Sequence, residues 1–134
     1  MSYKKLIEAA TRARSRAHAP YSKFSVGAAL LTKSGTIFTG CNVENVSLGL
    51  TICAERSAVA AAVAGGDKEL AAIAIVTDFP EPVFPCGACR QVLAEFNPEL
   101  EVVASTIGGR NETALLSKLL PCSDQKILES ITNV

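Results

Sequence analysis

The 134 residues of the chain fit one domain, because two separate cores of half this length would each bury too little apolar surface. Apolar residues make up 49% and charged residues 19%, as in a folded globular protein, and thirteen basic residues balance thirteen acidic ones. We therefore expect no membrane-spanning segment, since the longest apolar runs have seven residues, and no nucleic-acid partner, since the chain has no net positive charge.

The N-terminal segment predicts an amphipathic helix from Ser2 to about Ala17 that Pro20 ends. Small and apolar side chains recur there at helical spacing, while charged side chains occupy another face. The segment lacks the apolar core of roughly 7 to 15 residues that a secretory signal peptide needs. We therefore expect a cytoplasmic protein.

A β-hairpin is predicted by two apolar, β-branched stretches, Phe24 to Thr32 and Ile37 to Val43, which a short glycine-containing turn joins. A loop follows from Glu44 to Ile52. The alanine-rich run from Cys53 to Ala64 is apolar nearly all round and is followed by Gly65-Gly66, so it predicts a largely buried helix.

The middle of the chain predicts a strand, a helix and a second strand. Leu70 to Thr77 is a continuous apolar run, typical of a central strand covered on both faces, and three prolines make Asp78 to Pro85 a loop. A helix from about Gly87 to Phe96 ends at Asn97-Pro98, and Leu100 to Thr106 forms the next strand. We expect the two strands to be parallel and their crossover to be right-handed.

The C-terminal part predicts a short strand near Glu112, a helix from Leu115 to Leu120 and one weak helix after Pro121. The order of all these elements predicts an α/β fold, a three-layer α/β/α sandwich around a mixed five-stranded sheet with an N-terminal hairpin. No repeat, linker or low-complexity stretch divides the sequence, so we expect residues 1–134 to form a single domain.

Five cysteines indicate where the chemistry lies, and an odd number without a secretory signal favours reduced thiols over a disulfide framework. Cys86 and Cys89 form a Cys-x-x-Cys pair, which is either a redox couple or half of a metal site. Cys53 stands at the start of the other buried helix. Thiols at helix starts have depressed pKa values, and thiolate is the form that binds zinc. We therefore predict one zinc ion shared by these three residues.

The fourth zinc position is expected to stay open for water or substrate, as in catalytic rather than structural sites. His18 is the only histidine, and neither it nor Cys41 nor Cys122 is spaced like a further ligand. Lone residues of these types are more often packed or solvated than ligating, so we assign all three to structure.

Glu55 follows Cys53 by two residues, so a carboxylate that can move a proton of a metal-bound water stands beside a ligand. Alone, a glutamate in the first turn of a helix would only complement the helix dipole, but its coupling to three thiols favours catalysis. Three thiolates and Zn²⁺ sum to a net negative charge, which a buried pocket tolerates badly. Arg56 is the candidate for charge compensation, with Arg90 as a weaker one.

The motifs Thr51-Ile52-Cys53-Ala54-Glu55-Arg56 and Pro85-Cys86-Gly87-Ala88-Cys89-Arg90-Gln91 resemble the zinc signature of cytidine deaminases. The resemblance covers nearly the whole chain. Three cysteines point to the small nucleoside enzymes, since deaminases of other substrates usually carry histidine at position 53. Further landmarks of this family occur in the expected order: Ala19-Pro20-Tyr21-Ser22-Lys23-Phe24, Val26-Gly27-Ala28-Ala29, Gly40-Cys41-Asn42-Val43-Glu44-Asn45 and Leu119-Leu120-Pro121.

The resemblance implies deamination of cytidine or 2′-deoxycytidine to the uridine product, with release of ammonia, by a homotetramer with shared active sites. It implies one Zn²⁺ per chain, held by the three cysteines, and a zinc-activated hydroxide that attacks C4 while Glu55 moves protons. It also implies that the backbone of Ala54 contacts the base, that Phe24 packs against the ring, and that Asn42 and Glu44 bind sugar hydroxyls.

Two positions depart from the family pattern. Nucleoside-acting relatives commonly carry an aromatic residue soon after Asn-x-Glu-Asn and another just past Leu-Leu-Pro, whereas this chain has Leu48 and Asp124 in those stretches. A less aromatic lid would admit larger groups at C4. The alternative substrates are therefore N4-modified cytidines or a cytosine-nucleoside antibiotic.

Two functions from other classes compete with deamination. A zinc-stabilised binding module would have no open metal position and would keep its function after Glu55→Gln. A thiol–disulfide redox protein would use Cys86 and Cys89 but would need neither a third thiol nor Glu55. About one zinc ion per purified chain would weigh against the redox protein.

Overall fold

A computed structural model describes residues 3–123 and residue 131 of the chain. In that part, short loops connect four α-helices and five strands, and a 3-10 turn at Leu48–Leu50 lies in the loop before the second helix. The elements in chain order are α1 Lys4–Arg14, β1 Gly27–Thr32, β2 Ile37–Cys41, α2 Ala54–Ala64, β3 Leu70–Thr77, α3 Gly87–Phe96, β4 Glu101–Thr106, β5 Asn111–Leu115 and α4 Leu116–Leu119.

The five strands form one mixed sheet in the order β2-β1-β3-β4-β5. β1 is antiparallel to β2 and β3, β3 is parallel to β4, and β4 is antiparallel to β5. The predicted N-terminal hairpin and the parallel β3–α3–β4 unit are therefore confirmed. β3 is the central strand, where Ala74 pairs with Ala29 on one side and with Val103 on the other.

Helices cover both faces of the sheet, because side chains alternate between the faces along each strand. On one face α1 packs against Ala29, Ala74 and Val103, while on the other face α2 and α3 pack against Leu30 and Ile73. The continuous apolar sequence of β3 serves both cores. This arrangement is the three-layer α/β/α sandwich that the element order predicted.

Two glycines allow helices to lie unusually close to the sheet. A Cβ at Gly27 would clash with the Ala10 carbonyl and the Arg14 backbone of α1, and a Cβ at Gly40 would lie 2.5 Å from the Ala54 carbonyl oxygen of α2. Gly27 thus sets the distance of α1 from the start of β1. Gly40 sets the distance between α2 and β2. Cys53, a residue of the predicted metal site, is at the start of α2.

The ends of some elements differ from the predicted ones. α1 ends at Arg14 rather than near Ala17, because the chain turns tightly there before residue 18 pairs with residue 43. β1 begins at Gly27 rather than at Phe24, because the preceding backbone groups bond to a side chain instead of a strand. The weak helix expected after Pro121 falls largely on residues outside the described part, as does Asp124.

Among the described residues, no helix has the length and apolar character that a bilayer crossing requires.

Candidate metal centre and active site

Three cysteines come together where α2 and α3 begin. The Sγ atoms of Cys53, Cys86 and Cys89 all lie within 4.8 Å of one another. Tetrahedral coordination with Zn–S bonds of about 2.3 Å would separate two sulfurs by about 3.8 Å, so small side-chain adjustments suffice to hold one ion. The donor set therefore fits zinc.

The local backbone explains why the sulfurs face each other. Cys53, predicted as the first residue of its helix, is instead the N-cap of α2, and Cys86 is the N-cap of α3, just before the predicted helix start. Both residues have extended backbones. Their carbonyls accept the first helical hydrogen bonds, from Ser57 and Arg90 respectively, both at 3.0 Å. Cys89 follows in the first turn of α3. The N-termini of both helices therefore point toward the sulfur group, which consists of the Sγ atoms of Cys53, Cys86 and Cys89.

The thiols differ in how easily they ionise. The backbone N–H of Cys89 is the main cause that lowers the pKa of Cys86, as predicted for a thiol at a helix start. The pKa of Cys89 is instead raised, first by burial and then by the neighbouring Glu55 and Cys53, so the prediction of a depressed pKa was wrong there. Burial outweighs the helix dipole at this position. A thiolate at buried Cys89, beside the half-buried Cys53 and the exposed Cys86, therefore needs a neighbouring cation, which a zinc ion would provide.

Glu55 lies in the first turn of α2 and is only 6% exposed. Burial raises the pKa of its carboxyl group, while hydrogen bonds, including one with the Cys89 thiol, act in the opposite direction. A carboxyl group with a raised pKa can both accept and return a proton at neutral pH. The structure thus brings a buried carboxyl group directly beside the sulfur group.

Arg56 places positive charge against the sulfurs. Its Nη2 lies 3.5 Å from Cys53 Sγ and 3.4 Å from the Thr51 carbonyl oxygen, and hydrogen bonding to Cys53 raises the pKa of the guanidinium. Its buried Nε has no hydrogen-bond partner among the described residues. Arg90 instead donates to the Pro85 and Leu119 carbonyls, so it braces the backbone rather than a sulfur.

A cavity of about 320 Å³ opens beside the metal group. Its walls are mainly apolar with a few polar groups, which suits a flat ring with a polar edge. The lining includes seven of the predicted site residues together with others from the sheet and two loops: Ser22, Phe24, Val26, Asn42, Glu44, Thr51, Cys53, Ala54, Glu55, Ile75, Thr77, Val83, Phe84 and Cys86.

Glu44 holds the turn that leads to Phe24. Its Oε1 accepts hydrogen bonds from the backbone N–H groups of Tyr21 and Ser22 at 3.0 and 3.1 Å, and its Oε2 accepts one from the Ser22 hydroxyl. The Ser22 hydroxyl is the main cause that lowers the pKa of Glu44. The carboxylate is therefore ionised and oriented before any substrate arrives.

Asn42 fixes the position of Phe24 from the neighbouring strand end. Its Nδ2 donates to the Phe24 carbonyl at 2.8 Å, and its Oδ1 accepts from the Val26 N–H at 2.9 Å. Ala54, the first residue of α2, is fully buried at the edge of the same cavity. Phe24, Asn42, Glu44 and Ala54 thus share one wall region although they come from separate segments.

Other residues considered in the sequence lie elsewhere. His18, Cys41 and Cys122 do not belong to the sulfur group among the described residues. Leu48 is 72% exposed in the loop before α2 and does not line the cavity.

Seven residues that line the cavity were not predicted as site residues: Ser22, Val26, Thr51, Ile75, Thr77, Val83 and Phe84. Ser22 belongs to the motif from Ala19 to Phe24, but no local signal showed that its hydroxyl reaches Glu44. The sequence indicated Thr77 only as the last residue of a predicted strand, with no sign that it lines a cavity. Val83 and Phe84 lie in the proline-containing loop, where no spacing pattern points to a pocket.

Comparisons with known proteins agree with this geometry. The family model described as "Cytidine and deoxycytidylate deaminase zinc-binding region" matches residues 1–106. A cytidine deaminase of Sporosarcina psychrophila is 49% identical over 122 residues, which are 90% of this chain and 90% of the relative.

Solved structures give the same result at the level of the fold. The crystal structure of cytidine deaminase from Burkholderia pseudomallei matches with a TM-score of 0.88 and 51% identity, covering 91% of this chain and 98% of that chain. Cytidine deaminase from Mycobacterium tuberculosis matches with a TM-score of 0.80 and 41% identity, covering 91% and 96%. The sulfur group, the family model and these likenesses agree: the chain belongs to the family of zinc-binding cytidine and deoxycytidylate deaminases.

Proposed function

We propose that the chain is a hydrolase that deaminates cytidine and 2′-deoxycytidine to uridine and 2′-deoxyuridine, with release of ammonia. The observation that carries the proposal is the sulfur group beside a buried glutamate, both at one cavity of about 320 Å³. The named cytidine deaminases that resemble the chain support the substrate class. The small cavity suits a free nucleoside. The chain has no excess of basic residues with which to bind the phosphates of a polynucleotide.

Cys53, Cys86 and Cys89 would hold one Zn²⁺ per chain and leave its fourth position open. When bound, zinc supplies a hydrolytic nucleophile at neutral pH, because it lowers the pKa of water. The three thiolates leave the loaded centre with a net negative charge, which Arg56 beside Cys53 offsets.

Glu55 would act as the catalytic base and acid. It takes one proton from the attacking water and delivers it to N3 of the pyrimidine. It then moves the proton of the hydroxyl formed on C4 to the amino group, so that the C–N bond breaks, ammonia leaves and the C4 carbonyl forms. Its burial fits this role, because burial raises the pKa of the carboxyl group and so makes its protonated form more accessible than that of an exposed glutamate.

The cavity wall would orient the nucleoside. Phe24 packs against the pyrimidine ring, the backbone of Ala54 contacts the base edge, and Asn42 and Glu44 bind sugar hydroxyls. Glu44 can do this because its three internal hydrogen bonds leave part of its acceptor capacity free. Asn42 can bind with its second amide N–H and its remaining lone pair, while its two internal hydrogen bonds hold the backbone around Phe24.

We further propose a homotetramer in which neighbouring subunits complete each active site. The loop before α2 exposes apolar side chains that a second copy of the chain could cover, with Val46 78%, Leu48 72% and Leu50 67% exposed. Residues 1–134 would form one catalytic domain. A reducing compartment such as the cytoplasm would keep the metal-binding thiols free, and nucleoside deamination would serve pyrimidine salvage.

The decisive experiment is an absorbance assay of the purified protein with cytidine, 2′-deoxycytidine, cytosine and several N4-substituted cytidines. We expect turnover of the two nucleosides and about one zinc ion per chain. Glu55→Gln should keep the zinc but lower kcat by at least 100-fold, since general acid–base catalysis typically contributes about 10² to 10⁴. Glu95→Gln, at an exposed position on α3, is the matched control and should retain activity.

Each competing function predicts a different result in this assay. Zinc without turnover of any substrate would favour a binding module, and protein purified without zinc would favour a redox pair at Cys86 and Cys89. Turnover of N4-substituted cytidines in preference to cytidine would assign the alternative substrate class. Equal activity of Glu55→Gln and the native protein would contradict the proposed mechanism.

A further inference from the structure

We propose that Arg14, at the end of α1, is a positioning residue. It holds two segments of the cavity wall at a fixed position relative to each other, and it thereby increases the affinity for the substrate. The inference rests on the proposed function. Arg14 does not line the cavity itself, so it acts through the segments that it joins.

The guanidinium of Arg14 makes two contacts to segments that flank neighbouring strands. Its Nε donates to the Ser25 carbonyl oxygen at 3.0 Å, just before β1, and its Nη2 lies 3.1 Å from Asp78 Oδ2, just after β3. The side chain is 22% exposed and that of Asp78 46% exposed. One planar guanidinium group therefore connects the segment before β1 with the loop after β3.

Ser25 lies between two residues of the cavity wall. Asn42 holds the Phe24 carbonyl and the Val26 N–H, while Arg14 holds the Ser25 carbonyl between them. Successive backbone groups of this short segment are thus fixed by two different side chains. Without Arg14 the Ser25 carbonyl would lose this partner, while the Phe24 N–H would keep its bond to Ser22 Oγ and Asn42 would keep its two bonds. Phe24 would therefore lose part of its orientation.

Asp78 begins the loop that forms another part of the wall. The loop follows Thr77, carries Val83 and Phe84 into the cavity lining, and leads to Cys86. An ion pair this exposed contributes little to stability by itself. Its effect is geometric, because the same guanidinium is anchored on Ser25.

The backbone of Arg14 is itself held close to β1. A Cβ at Gly27 would lie 2.6 Å from the Arg14 nitrogen and 2.8 Å from its Cβ, so the helix end packs directly on the glycine. The side chain therefore starts from a fixed point. This close packing distinguishes Arg14 from Arg12, which is exposed in the same helical turn.

The test compares Arg14→Gln, Arg14→Lys and Asp78→Asn with Arg12→Gln as the matched control. KM and kcat for cytidine and 2′-deoxycytidine, zinc content and the thermal midpoint are measured for each variant. Loss of the hydrogen bond to Ser25 and of the ion pair with Asp78 should raise KM in Arg14→Gln about three- to tenfold, with kcat per zinc nearly unchanged. Arg14→Lys should give an intermediate rise, since lysine lacks the planar guanidinium group.

The expected pattern separates positioning from general destabilisation. A merely structural role would lower the thermal midpoint and the active fraction while KM stayed constant. A positioning role raises KM equally for both nucleosides, because they differ only at the 2′ position of the sugar. Arg12→Gln should match the native protein, and Asp78→Asn should raise KM less than Arg14→Gln.

A KM within twofold of the native value in zinc-loaded Arg14→Gln would overturn the inference. If that variant does not fold, Arg14→Lys decides by the same criterion. These outcomes are distinct from failure of the proposed function, in which the native protein itself would not deaminate cytidine.

Discussion

Glu44 shows how one side chain can serve both the fold and the proposed site. The ionised carboxylate accepts three hydrogen bonds from Tyr21 and Ser22, and these bonds lower its pKa below the ordinary value of 4.5. A depressed pKa means that the folded protein prefers the ionised form. The stability that it contributes is therefore fully present above about pH 4.5 and is lost as the pH falls through the lower folded-state pKa.

This sign gives a prediction for Glu44→Gln. At pH 7 the variant should melt on the order of 2 °C below the native protein, because a neutral amide replaces a charge-assisted acceptor. The difference should shrink as the pH falls below 4.5 and through the lower folded-state pKa, at which the native carboxylate becomes protonated. Thermal unfolding of both proteins from pH 7 to pH 3.5 checks it, with Glu95→Gln as the exposed control. A difference that grows in acid would contradict this account.

At the scale of elements, the metal site depends on how closely α2 packs on β2. Cys53 and Glu55 lie at the start of α2, and Gly40 faces the helix backbone at the same level. A Cβ there would lie 2.5 Å from the Ala54 carbonyl oxygen and would also clash with the Ala58 nitrogen. Both are backbone atoms, so the whole helix would have to move.

Gly40→Ala should therefore destabilise the protein and impair the site together. Overpacking of this kind typically costs about 1–3 kcal/mol in the free energy of unfolding, and displacement of α2 should lower zinc content as well. Urea unfolding at one protein concentration measures the first effect and metal analysis the second. Gly108→Ala is the control, since a Cβ there would make only an ordinary 3.6 Å contact with Thr106 Oγ1. Unchanged stability and zinc content in Gly40→Ala would refute the expectation.

At the scale of the whole molecule, the loop before α2 leaves apolar surface that the described part of the chain does not cover. Val46, Leu48 and Leu50 are each about two-thirds exposed or more, although they lie a few residues from Cys53, a proposed metal ligand. An apolar surface next to an active site is what a subunit interface that completes the site requires.

The proposed assembly predicts a mass in solution of about four times the 14.0 kDa of the chain. Leu50→Asp should shift the protein toward smaller species and lower its activity in parallel, because a charge would be buried in the interface. Ile107→Asp, at a similarly exposed apolar position in the turn after β4, should leave both unchanged. Sedimentation with activity measured on each species provides the test. A fully active native protein at the mass of one chain would exclude the tetramer.

Local sequence was sufficient wherever short-range chemistry decides the structure. The bounds of β3 and α3 are as predicted, because a continuous apolar run and an Asn-Pro stop are local signals. The ends of α1 and β1 differ, because His18 and Asn42 form bonds with residues distant in sequence. The same limit applied to the site, where Val83 and Phe84 carried no local signal.

The sequence by itself determined the donor chemistry: two short motifs supply three thiols and a glutamate at helix starts, and local spacing is enough to read them. Only the tertiary structure decided how that chemistry is tuned. Burial raises the pKa of Cys89 where the helix position alone predicted a depressed value, and Arg14 contacts segments far from it in sequence. Burial and contacts between distant residues arise when the sheet and its two helical layers pack together, which is why the sequence alone could not predict them.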